Sequence, residues 1–116
     1  MAKLEAGGWN FEFEMPKAGV VLEGMLECKG LIRAAGTRQM HADELIDDHK
    51  IADATPILAV VEELEYELGN RLQKLLFSVV PELADGFPET MTELDAKTLL
   101  QQFAATLLFG GDRVKN

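Results

Sequence analysis

The densest collection of potential ligand groups in the chain is His41-Ala42-Asp43-Glu44-Leu45-Ile46-Asp47-Asp48-His49. Imidazole nitrogens and carboxylate oxygens are donors that Zn²⁺ or Mn²⁺ accepts when three or four converge. On a helix His41, Glu44 and Asp48, at i, i+3 and i+7, share one face, and His49 lies one residue beyond. The spacing matches neither H-E-x-x-H nor an EF-hand loop. The segment therefore reads first as an exposed acidic helix carrying two incidental histidines. A small metal-dependent enzyme built on His41, Glu44 and Asp48 is the alternative.

Other chemistry finds little to work with. Cys28 is the single cysteine, which excludes an internal disulfide framework and a four-cysteine zinc site. A catalytic thiol needs a histidine base and an electropositive setting, whereas Glu27 and Lys29 leave this one in roughly neutral surroundings. It reads as a buried structural residue. The one serine, Ser78, lacks a G-x-S-x-G elbow, and the glycines form no phosphate-cradling signature. Carboxylate pairs are so abundant that no single pair carries information. The expectation is a protein without catalytic activity or cofactor.

The chain of 116 residues has a formal net charge of −9, and that charge is unevenly placed. Residues 1–42 are neutral, residues 96–116 carry +2, and residues 43–95 hold fourteen acids against three bases, a net of −11. Such a surface repels phosphate, so nucleic-acid binding is not expected. It can keep the protein dissolved, or it can dock a basic partner. Glu62, Glu63, Glu65 and Glu67 are the carboxylates best placed for docking, on the polar side of a predicted helix.

The elements that must carry these residues follow from spacing. Trp9, Phe11, Phe13 and Met15 alternate with Asn10, Glu12 and Glu14, a half-buried strand. Glutamate and asparagine between the aromatics do not suit base stacking. Pro16-Lys17-Ala18-Gly19 reads as a turn, and residues 20–28 as the returning strand. Val21, Met25, Cys28 and Ile32 would also fit a helix, but Gly19, Gly24 and Gly30 weigh against it, and the strand is preferred. Gly30 to Gly36 is then a connection or a third short strand, and Thr37 caps a short helix from about Arg38 to Lys50.

Thr55 and Pro56 read as the cap and first position of a long helix, with apolar residues at Ile57, Val60, Val61, Leu64, Leu68, Leu72, Leu75, Leu76 and Val79. Pro81 ends it, giving a rod of roughly 36 Å. Residues 81–89 form a loop that Leu83 and Phe87 plug onto the core. Thr90-Met91-Thr92-Glu93 has capping-box spacing before a last helix bearing Leu94, Leu99, Leu100, Phe103, Ala104, Leu107 and Leu108. Gly110-Gly111 would cap its end.

The sum is one α+β domain over residues 1–116: an N-terminal β-hairpin, with or without a third strand, packed on about three helices around a long central one near 56–80. No signal peptide or apolar stretch of membrane-spanning length is seen, and the unpaired cysteine suits a reducing cytoplasm. The wide apolar faces, ending in Leu107, Leu108 and Phe109, suggest a homo-oligomer or a surface for a partner's apolar segment. In general character the chain is similar to phage-encoded accessory proteins such as tail-assembly chaperones, and to immunity proteins and phage-encoded inhibitors. That similarity of composition implies an interaction protein and assigns no residues.

Overall fold

The computed structural model describes residues 1–109. Its elements are β1 (Ala2–Ala6), β2 (Trp9–Phe13), α1 (Ala18–Asp47), α2 (Ile51–Val79), a 3₁₀ turn (Pro81–Leu83) and α3 (Glu93–Phe109). The class is α+β, an N-terminal two-stranded hairpin on three helices. The chain divides into two compact units, Met1–Met25 with the residues from Leu72 on, and Leu26–Arg71. The divisions fall inside α1 and α2 rather than in a linker.

In the first unit the strand at Trp9 pairs antiparallel with Ala2–Ala6, not with residues 20–28. Ala6 opposes Trp9 across a two-residue turn, and Gly7 and Gly8 both take positive φ, as a tight hairpin requires. Both strands alternate: Ala2, Leu4, Phe11 and Phe13 are buried while Lys3, Glu5, Asn10 and Glu12 face solvent. Met15 lies past the strand and is exposed. The core joins these residues to Val21 of α1, Leu76 of α2 and Leu99, Phe103 and Leu107 of α3. The Phe13 and Phe103 rings pack at 5.6 Å.

α3 is fastened to the free edge of β1 by one side chain. Gln102 Nε2 donates to the Glu5 carbonyl (2.7 Å), and Gln102 Oε1 accepts from the Glu5 amide (2.8 Å). The side-chain amide thus takes the place of a further strand at that residue and covers an edge that would otherwise be open to pairing. Leu83 plugs the loop onto the core, and Phe87 meets Phe77 edge to face at 5.0 Å. Thr92 rather than Thr90 caps α3, its Oγ1 accepting from the Asp95 amide. The Gly110-Gly111 cap lies outside the described residues.

Residues 18–47 form one thirty-residue helix, where the sequence reading preferred the end of a turn, a strand, a third strand or connection and a separate short helix. The helical spacing wins because it runs much further than Ile32. Val21, Met25, Cys28, Ile32, Ala35, Gln39 and Ala42 alternate by four and three, and every one is buried or half-buried. Gly30 and Gly36 have nothing within 4 Å of where a side chain would start, and Gly24 instead lets Leu75 approach closely.

In the second unit α1 turns back into α2 at residues 48–50. The Lys50 amide donates to the Leu45 carbonyl (2.7 Å) and the His49 amide to the Ile46 carbonyl (3.0 Å), with His49 at φ 62°. This is a Schellman stop, with histidine where glycine is usual. The Lys50 carbonyl then accepts from Asp53 and Ala54, so α2 begins at Ile51 rather than at Thr55. Pro56 consequently sits inside the helix, and Ala52 receives no amide from it. The added turn is held by Ala54, which is wholly buried.

Two expectations follow for stability. Gln102→Ala should lower the unfolding free energy by about 1 kcal/mol, since the freed Glu5 backbone can bond water. His49→Gly should raise it by about 1 kcal/mol, because glycine adopts positive φ without strain. Urea titration followed by circular dichroism reads both; equal midpoints in all three proteins would contradict these roles.

Candidate functional site

α1 and α2 of the second unit run antiparallel. Glu27 meets Arg71 at one end, while Arg38 and His41 adjoin Pro56, Ile57 and Val60 towards the other. Each helix turns one stripe inward: Cys28 and Ala42 on α1, and Ala54 and Val61 on α2, are buried. The opposite face of each is left to solvent. That division decides where the candidate residues of these two helices lie.

Glu62, Glu63, Glu65 and Glu67 are all exposed on α2. Glu67 is tied to Arg71, whose Nη2 lies 3.0 Å from Glu67 Oε1 while Nη1 contacts Glu27. The hydrogen bond to Glu67, and then the charge of Glu27, hold the Arg71 guanidinium above its usual pKa. Among the described residues Glu62, Glu63 and Glu65 have no ion-pair partner. Tyr66 stands between them, 75% exposed, at i+4 from Glu62 and i+3 from Glu63. Periodicity points out the carboxylates but not this ring. A lone tyrosine on the polar side of an amphipathic helix was the available signal.

The other candidates are dispersed or enclosed. His41, Glu44 and Asp48 are exposed on α1, and no three His, Cys, Asp or Glu residues among those described are grouped to hold a metal ion. His49 serves the Schellman stop. His41 borders a shallow, mostly apolar concavity with Arg38, Pro56, Ile57 and Val60. At the end of α3, Leu107 and Leu108 are buried and only Phe109 of that trio is exposed. No helix among the described residues is long and apolar enough to cross a membrane.

Cys28 is fully enclosed, and burial pushes its thiol up from its ordinary value. Arg71 opposes that shift and Glu27 adds to it. A raised thiol is the reverse of what a nucleophile needs.

Compared with known families, curated proteins and solved structures, the chain matches none.

The raised Cys28 pKa has a sign that can be measured. The folded state favours the neutral thiol, so its stabilising contribution is intact below the unfolded thiol's value, near 9.0, and fades as pH climbs through the higher folded value. Stability above pH 9 should therefore fall more steeply in the wild type than in Cys28→Ala, as followed by urea midpoints across that range. Parallel curves would contradict the assignment.

Proposed function

We propose that the chain is a non-catalytic interaction protein whose partner presents a basic surface and docks on the outward side of α2. The observation that carries this reading is the row Glu62, Glu63 and Glu65 around Tyr66, exposed and without internal counter-ions among the described residues. Unpaired carboxylates at i and i+3 repel one another and weaken the helix. A basic partner relieves that repulsion, speeds encounter and favours the right orientation. Tyrosine is among the side chains that most often anchor interfaces. Glu67 contributes less, because Arg71 already pairs with it.

Charge-led docking of this kind suits an inhibitor or immunity-type protein acting in the cytoplasm. A second reading, an assembly factor such as a tail-assembly chaperone, draws support from the large apolar side chains left open on α3, Leu94 at 72% and Phe109 at 57% exposure. Salt separates the two, since screening weakens charge pairs and leaves apolar burial intact.

The test is capture of partners from a lysate of the native host, followed by affinity measurement on the purified partner. The triple variant Glu62→Gln/Glu63→Gln/Glu65→Gln should bind about tenfold to a hundredfold more weakly than the wild type, if each lost pair contributes up to about 1 kcal/mol. Raising salt from about 0.1 M to about 1 M should weaken wild-type binding by a similar factor. Affinity unchanged by both would contradict acidic docking. Loss on Phe109→Ala with indifference to salt would favour the assembly reading.

A further inference from the structure

The outward side of α1 in the Leu26–Arg71 unit differs from that of α2. Leu26, Lys29, Arg33 and Met40, spaced by three, four and seven, form one row on a flank of α1, about 120° around the helix from the buried stripe. All four are exposed, Leu26 at 60% and Met40 at 67%. Between Cys28 and Ala42 the helix carries Lys29, Arg33 and Arg38 and no acid. Lys29 and Arg33 lie within 4 Å of no carboxylate among the described residues. The same unit therefore presents a basic row edged with apolar side chains on α1 and an acidic row around a tyrosine on α2.

We propose that these two faces bind each other between copies of the chain, Leu26, Lys29, Arg33 and Met40 of one docking on Glu62, Glu63 and Tyr66 of the next. The occupant is named by charge: two cations set one helical turn apart face two adjacent carboxylates, and Tyr66 offers a ring to Met40, Leu26 or the Arg33 guanidinium. The two rows are different surfaces, so the contact is head-to-tail. It extends into a chain of copies or closes into a ring, instead of ending at a two-fold dimer.

The α1 row is roughly 21 Å long, short of what a standard interface of about 1,200 Å² requires. The association is consequently weak and salt-sensitive. It rests on the reading that the acidic row receives a basic surface, and it makes α1 of a neighbouring copy a competitor for the partner.

Sedimentation velocity of the full chain, from low micromolar to about 1 mM and in about 0.1 M or 1 M salt, tests the proposal without any partner. The weight-average mass should rise above the 12.8 kDa monomer with concentration at low salt and return to it at high salt. Lys29→Glu/Arg33→Glu and Glu62→Lys/Glu63→Lys should each be monomeric alone. Mixed, they should associate again, since the two retained faces are complementary and so are the two reversed ones; mixed neutral variants, with glutamine at the same two pairs, should stop at a 1:1 pair. The milder pairs Lys29→Gln/Arg33→Gln and Glu62→Gln/Glu63→Gln replace any reversal whose helical circular dichroism falls.

A wild type that stays monomeric at every concentration overturns the proposal. So does association that persists in the single-face variants, survives 1 M salt, or fails to reappear on mixing. Capture of a host protein lost in the triple glutamine variant, alongside a monomeric wild type, would overturn this inference and leave the docking reading standing.

Discussion

A helix with one apolar stripe can bury only that stripe, and the hairpin of α1 and α2 is arranged by that limit. The Schellman stop at Asp48–Lys50 reverses the chain within three residues and brings the two stripes together. Cys28 and Ala42 on one helix, and Ala54 and Val61 on the other, are thereby withdrawn from water. Everything on the far sides is committed to solvent or to another molecule. What stays exposed is acid on the outward side of α2, and base with apolar neighbours along a flank of α1. They are the surfaces left over after the only available burial has been made.

The first unit solves a different problem. Two five-residue strands cannot stand alone, so the hairpin lays one face on Val21, Leu76, Leu99 and Phe103, drawn from three helices. Gln102 then occupies the hydrogen-bonding edge of β1 with a side chain. α3 enters with Thr92 at its cap and Asp95 in its first turn, where a carboxylate suits the positive end of the helix dipole. Leu107 and Leu108 are consumed by burial, which leaves Phe109 as the exposed remnant of the apolar surface foreseen there.

What the residues disclose on their own depends on how strong each signal is. The alternation of Trp9 to Phe13 and the three-and-four spacing after Ile57 are dense and apolar, and both elements form. The partner strand Ala2–Ala6 alternates too, but with small residues and over only five positions. Its clearest sign is Gly7-Gly8, a two-residue hairpin turn. α1 is harder because its stripe includes the small or weakly apolar Cys28, Ala35 and Ala42 and the polar Gln39, with glycines at 24, 30 and 36 between them. A penalty of about 1 kcal/mol for each glycine looks prohibitive locally and is outweighed by burial along the whole length. A break near Lys50 was legible, but not its form, because histidine, not glycine, takes the left-handed conformation at residue 49. Pro56 misled in the other direction, being tolerated inside α2 rather than opening it. The exposure of Glu62, Glu63 and Glu65 was legible from the same period that placed Val61, Leu64 and Leu68 inward. Tyr66 was legible only from its residue type, because a single aromatic residue on a polar face leaves the period unchanged.

The central claim concerns one face of one helix, and carboxylate footprinting addresses it directly. Carbodiimide labelling of the free chain and of its complex with the captured partner, read residue by residue by mass spectrometry, should show protection concentrated at Glu62, Glu63 and Glu65. Asp43, Glu44 and Asp47 of α1 should stay as reactive as before. Equal labelling of the α2 carboxylates in both states, or protection confined to α1 or to the hairpin's Glu5 and Glu12, would contradict the account.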